Sequence, residues 1–207
     1  MASQSIIVID DFYPDPDAIR QLALSLRFEK KAGATYPGLE AHCNTDWEPI
    51  RQHLRGFIEE SVDAQCPKNI PFKQGKFRLA LASDEASRVD RVHVDQQRWS
   101  GIVYLSKPED CQDGLRLYRH RATCSTFWNN SWFEDNFPSY FELPPEDFRS
   151  RVLNYFKDPN NFELIGTIPM LYNRAILLMA HALHGTGLAF GDRVENGRLS
   201  QHFEFYQ

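Results

Sequence analysis

Gly101-Ile102-Val103-Tyr104-Leu105 is a short run of β-branched and aromatic residues bounded by polar ones, which is the composition of a strand. Similar short apolar runs recur from residue 72 onward, at residues 77–82, 115–118, 162–168, 171–179 and 198–206. Strands in this number predict a sheet-rich core. The preceding sequence reads differently. Ile6-Ile7-Val8-Ile9 is one more strand, and Asp15-Pro16-Asp17 then supplies an N-cap, a proline at the first helical position and an early acidic charge. Ile19, Leu22, Ala23 and Leu26 follow at the spacing that buries one helix face. A second helix is expected to open at Thr45 in a capping box with Glu48, burying Ile50, Leu54, Phe57 and Ile58. Two helices ahead of a series of strands predict a mainly β fold with flanking helices, a β-sandwich or jelly roll.

At 207 residues, with 42% apolar and 25% charged residues, the chain reads as one globular domain over residues 1–207, with no linker or repeat. A chain of this length builds its core without a metal or disulfide staple, so any metal is free to be functional. The net charge of −5 gives no overall basic field for nucleic acid or anionic lipid. Cys43, Cys66, Cys111 and Cys124 form no C-x-x-C pair, and read as thiols of a reducing compartment. Residues 1–5 carry no basic charge, and the apolar run 6–9 is too short for a signal core or a membrane span. A cytoplasmic protein with no membrane association is expected.

Residues 123–161 form an aromatic-rich insertion that includes Phe127, Trp128, Trp132, Phe133, Tyr155 and Phe156. Its later half, from Pro144-Pro145-Glu146-Asp147 through Phe148, Val152 and Phe156, predicts a proline-started amphipathic helix. Most of these rings should form the core of an inserted lobe, with one or two facing a pocket. Arg116, Arg119, His120 and Arg121 precede the insertion and read as a solvated strand end.

In Val92-His93-Val94-Asp95, a strand places His93 and Asp95 on one face. That pair alone is weak, because a strand-end histidine beside a carboxylate is common. Adding a later histidine, with His181 and His184 as candidates, gives two imidazoles and one carboxylate, the facial triad of non-haem Fe(II) with three open positions. Farther on, Arg198-Leu199-Ser200-Gln201-His202 alternates so that Arg198, Ser200 and His202 share a face. An arginine beside a serine on that face is an anion clamp.

In order and context these residues resemble the Fe(II)- and 2-oxoglutarate-dependent dioxygenase superfamily, in its prolyl-hydroxylase-like form. The likeness lies in His93-Val94-Asp95, Gly101-Ile102-Val103-Tyr104-Leu105, Asp113-Gly114-Leu115-Arg116-Leu117-Tyr118, His184 and Arg198-Leu199-Ser200-Gln201. The opening Val8-Ile9-Asp10-Asp11-Phe12 and Tyr36-Pro37-Gly38 are similar to a small bacterial and fungal subgroup. The resemblance implies a double-stranded β-helix, a distorted cupin-like jelly roll. It implies Fe(II) on His93, Asp95 and His184, with His184 preferred over His181 for its distance to Arg198. It also implies 2-oxoglutarate on Arg198, with Ser200 and Tyr104 assisting and Asn173 nearby, and O2 as the oxidant. The implied reaction oxidises a C–H bond of a small molecule, such as an amino acid or biosynthetic intermediate, by hydroxylation, desaturation or cyclisation, releasing succinate and CO2. A carboxylate at Asp95 speaks against halogenation. The alternatives are a protein or peptide hydroxylase, a silent jelly-roll binder of metal or ligand and, last, a nucleic-acid demethylase.

Overall fold

The computed structural model describes residues 5–30, 36–59, 62, 74–87, 92–136 and 145–206. Cys66, Phe137, Tyr140 and Phe141 lie outside them, as does the side chain of Phe148. The strands are β1 (Ile6–Ile9), β2 (Leu39–Ala41), β3 (Lys76–Ala80), β4 (Trp99–Tyr104) and β5 (Gly114–His120), then β6 (Phe162–Pro169), β7 (Ala175–Met179), β8 (His184–Gly185) and β9 (Arg198–Phe205). They make a six-stranded sheet in the order β1-β7-β4-β9-β3-β2 and a three-stranded sheet in the order β6-β5-β8, antiparallel throughout. His93 adds to the small sheet by an antiparallel bridge to His184. From β3 onward the chain crosses between the sheets: large at β3, small at His93, large at β4, small at β5 and β6, large at β7, small at β8, large at β9. That alternation makes the fold a jelly roll.

Period-two alternation sorts the side chains of the large sheet. On β4, Trp99 and Val103 pack outward with Leu177 of β7 and Leu199, Phe203 and Phe205 of β9. Against this outer face lie Ala23 of helix α1 (Pro16–Leu24) and Leu54 of helix α2 (Glu48–Arg55), both fully buried. Ile102 and Tyr104 point inward with Ile176 and Leu178, meeting Leu115 of the small sheet. Each such side chain contributes roughly 1.5–3 kcal/mol by leaving water. The inner face of β9 is instead polar, because Ser200, His202 and Glu204 stand opposite Tyr104, Ile102 and Ser100.

Helix α1 begins as expected, with Asp15 Oδ1 accepting from Ala18 N at 3.0 Å and Pro16 in the first turn. Helix α2 corrects the expected capping box. Its N-cap is Trp47, with no side-chain bond, and Asp46 Oδ1 accepts from Glu48 N at 3.0 Å. The Glu48 carboxylate is taken by Arg51 Nε and Nη2 at 2.7 and 2.6 Å, charge-assisted bonds that outcompete a backbone amide. Phe57, expected in the core, is 37% exposed. The strand expected over 171–179 starts at Ala175, because Asn173 adopts a left-handed φ of 64° and turns the chain.

Two helices of the insertion are described, α3 (Asn130–Asn136) and α4 (Pro145–Lys157). Trp128, Phe133, Phe156 and Phe162 stack nearly parallel in one aromatic layer, with Trp128 and Phe133 centroids 4.0 Å apart. The basic cluster before it is neutralised locally. Arg116 pairs with Asp113 at 2.7 Å and Arg119 with Glu163 at 2.6 Å. No described helix is long and apolar enough to cross a membrane.

Candidate metal centre

His93 and His184 are placed by the backbone before any side chain is considered. His93 N donates to His184 O at 2.8 Å and His184 N donates to His93 O at 3.0 Å, so the two side chains emerge on the same side of the bridge. Two residues on, Asp95 N donates to Ala180 O at 2.8 Å, which fixes the carboxylate on the same face. After β8, Gly187 turns the chain with φ 76°, where a Cβ would lie 2.1 Å from Gly114 O. One ligand atom from each of His93, Asp95 and His184 lies within 4.8 Å of the others. Among the described residues this is the one group of three or more such side chains.

His184 is 2% exposed, and its Nδ1 is 2.8 Å from Ala182 O, so Nδ1 donates to that carbonyl and Nε2 is the nitrogen turned to the cluster. That Nε2 is 3.6 Å from Asp95 Oδ2, and His93 Nε2 is 4.0 Å from Asp95 Oδ1. Burial pushes the Asp95 carboxyl up, but the hydrogen bond and charge of His184, with His93 and Ser100, outweigh it and hold Asp95 well below the usual carboxylate range. Burial pulls His184 down, and Asp95 raises it further than burial lowers it. Both shifts express mutual attraction between the Asp95 carboxylate and the imidazoles. Ser100 Oγ donates to Asp95 Oδ2 at 2.8 Å, and Gln97 Nε2 donates to that Ser100 oxygen at 2.6 Å.

His181 is exposed, with its carbonyl accepting from Trp128 N, and stands outside the cluster. Asn173, expected near the cosubstrate, is committed elsewhere. Its Oδ1 accepts from Tyr13 N at 2.8 Å and its Nδ2 donates to Tyr13 O at 2.9 Å.

Arg198 lies inside the jelly roll, 3% exposed, with its Cζ 5.6 Å from the Tyr104 ring centroid. Among the described residues no carboxylate pairs with it. The buried hydroxyls of Tyr104 and Tyr36 lack a well-formed hydrogen bond. Burial pushes both phenols up against the opposing pull of Arg198, so both are neutral donors beside a guanidinium. Ser200, fully buried, shares its hydroxyl with His202 Nε2 at 2.9 Å. Burial, then the charges of Arg78, Lys76 and Arg198, hold His202 neutral. An unpaired buried guanidinium with nearby hydroxyl donors is a site with the chemistry of a carboxylate receptor.

A cleft of about 390 Å³ opens over the cluster, with His93 and Asp95 in its wall beside Thr186. Trp128, Val152, Leu153 and Phe156 of the insertion make its apolar side, and Tyr36 and Arg78 stand in the wall as well. A cavity of about 50 Å³ adjoins the cluster, bounded by His184, Ser100, Ile102, His202 and Glu204. Ser100, Gln97 and Arg78 were not singled out by the sequence, and Tyr36 carried no role there. Ser100 and Gln97 follow Asp95 in a turn with no spacing rule, whereas the alternation Lys76-x-Arg78 on β3 was a signal that could have been read.

Over residues 1–205 the chain matches the model of a family described as a family of unknown function, DUF6445. The chain belongs to the DUF6445 family. No curated protein matches this DUF6445 member in sequence. Solved structures similar to it include the Fe(II)/α-ketoglutarate-dependent dioxygenase TqaL, at 9% identity and TM-score 0.46, covering 99% of this chain and 83% of that one. IDO from Bacillus thuringiensis is similar at 10% identity and TM-score 0.45, covering 98% and 92%. A Pseudomonas putida prolyl-4-hydroxylase is similar at 12% identity and TM-score 0.39, again covering 98% and 92%. At these scores the functional reading of the DUF6445 chain rests on its own residues.

Proposed function

We propose that the chain is a non-haem Fe(II)- and 2-oxoglutarate-dependent oxygenase acting on a small molecule. The observation that carries this reading is the His93, Asp95 and His184 cluster, whose ligand atoms lie within 4.8 Å of one another, inside a fold that also buries Arg198 with no anionic partner among the described residues. Two imidazoles and one carboxylate are the donor set of Fe(II) sites that leave three positions open. When bound, the metal with 2-oxoglutarate and O2 supplies an oxidative decarboxylation that yields succinate and CO2 and oxidises a substrate C–H bond.

The chain's own residues do the rest. His184 presents Nε2 because Ala182 O holds its other nitrogen. Asp95 stays ionised, and Ser100 orients it through Oδ2. Arg198, with the Tyr104 and Ser200 hydroxyls, takes the distal carboxylate of 2-oxoglutarate. The wall made by Trp128, Val152, Leu153 and Phe156 excludes water from the face where substrate sits. In this role residues 123–161 act as a lid.

Anaerobic calorimetry tests the pairing of metal and cosubstrate. One Fe(II) per chain is expected, with 2-oxoglutarate binding only after the metal. Metal binding with no 2-oxoglutarate affinity would instead mark a jelly-roll metal-binding protein.

A further inference from the structure

Among the described residues, Arg78 is the cation that lines both the cleft and the small cavity beside the cluster. Its Nε donates to Glu40 Oε1 at 3.0 Å, and its Cζ lies 4.9 Å from the Tyr36 ring centroid. Among the described residues its two terminal nitrogens make no hydrogen bond. Glu40 is shared, because Lys76 Nζ also reaches Oε1 at 3.3 Å. Glu40 thus faces two cations, and Arg78 does not have this carboxylate to itself. The stack on Tyr36 and the bond through Nε fix the plane of the guanidinium, so the terminal nitrogens form a preorganised fork at the cleft wall. The insertion supplies the opposite character, with Trp128 and Phe156 offering ring surface and Val152 and Leu153 aliphatic surface.

We infer that the cleft takes a small apolar carboxylic acid, its carboxylate held by the terminal nitrogens of Arg78 and its hydrocarbon body against Trp128 and Phe156, with a C–H bond over the His93, Asp95 and His184 cluster. As a statement about substrate, this rests on the oxygenase reading. The cleft's preference for a carboxylate is measurable without it. A carboxylate suits the site, since a guanidinium fork takes its two oxygens through parallel hydrogen bonds. A neutral apolar ligand would leave the Arg78 fork covered and unpaired.

The test uses the full chain, free of metal, titrated by calorimetry with 3-phenylpropanoate and with its uncharged isostere 3-phenylpropanamide. The acid is expected to bind at least about tenfold more tightly than the amide. That ratio should fall to about one in Arg78→Gln, fall in part in Arg78→Lys, which keeps the charge without the fork, and persist in Arg198→Gln. Equal affinity for acid and amide in the unmodified chain overturns the inference without recourse to any variant. Loss of the ratio in Arg198→Gln but not in Arg78→Gln overturns it too, by moving the carboxylate to the other arginine. Iron and 2-oxoglutarate are scored separately in the unmodified chain. A tenfold acid preference with no 2-oxoglutarate binding upholds the carboxylate cleft and removes the oxygenase reading.

Discussion

His93 and His184 stand directly opposite each other on an antiparallel bridge, exchange both backbone hydrogen bonds at 2.8 and 3.0 Å, and hold their ring centroids 4.3 Å apart. The cluster is therefore scaffolded by strand pairing, and its geometry does not depend on long side chains finding one another. His184→Ala and Asp95→Ala are each expected to weaken Fe(II) binding at least about 100-fold, measured by competition with a chelator. Far-UV circular dichroism should remain native in both.

Ser100 reaches the His93, Asp95 and His184 cluster through Asp95, by a 2.8 Å hydrogen bond to Oδ2. Ser100→Ala should therefore weaken Fe(II) affinity by about tenfold, well short of the loss of a ligand. Unchanged affinity would mean that Gln97 Nε2, 3.3 Å from the same oxygen, and the backbone suffice to orient Asp95.

Arg198→Ala should leave Fe(II) affinity unchanged and weaken 2-oxoglutarate by at least about 30-fold, the cost of truncating one partner of a buried charged pair. Tyr104→Phe removes one neutral donor and should cost about two- to tenfold. Equal losses of metal and cosubstrate in Arg198→Ala would point to misfolding, which thermal unfolding of the variant separates.

The legible part of this molecule was the part governed by period two. The alternation along β9 set Arg198, Ser200 and His202 on one face, and the structure turns that face to the interior while Leu199 and Phe203 pack on the side of helices α1 and α2. His93 and Asp95 were readable for the same reason. Residues set by tertiary competition were not. Asn173 turns the chain and binds Tyr13, 160 positions away, and nothing local announces that partner. Thr45 looked like a cap until Arg51 claimed Glu48. The cleft wall of Trp128 and Phe156 is formed by an aromatic layer whose residues are spread along the insertion. Composition marked that layer, and spacing could not fold it.

Away from the cluster, Arg51 is fully buried over the Phe205 ring and is paired with the half-exposed Glu48. The hydrogen bond from Arg51, with help from Gln52, holds the Glu48 carboxyl down at about 2. A carboxyl lowered on folding stabilises above its unfolded value near 4.3 and loses that contribution as pH falls toward 2. Glu48→Gln should accordingly destabilise the chain at pH 7 by about 2 kcal/mol, between an exposed and a buried pair, and much less at pH 2.5. Urea unfolding at the two pH values measures the difference.

Phe156 joins the aromatic layer to the cleft, stacked on Trp128 at 5.4 Å and on Phe162 at 5.3 Å. Phe156→Ala should cost about 3 kcal/mol of stability, at the low end for a buried ring because the cleft already opens beside it. Faster hydrogen exchange should be confined to residues 123–161, with the large sheet unaffected. Exchange rising equally in β4 and β9 would show that the insertion and the jelly roll unfold as one unit.

The proposed function has His93, Asp95 and His184 holding Fe(II), with 2-oxoglutarate bound beside Arg198. Anaerobic titration of the metal-free chain with Fe(II), then 2-oxoglutarate, tests this through the visible metal-to-keto-acid charge-transfer absorption. A saturable band at one equivalent is expected, abolished in His184→Ala and needing far more 2-oxoglutarate in Arg198→Ala. A folded, iron-loaded chain that gives no band, or a band indifferent to His184→Ala, would contradict it.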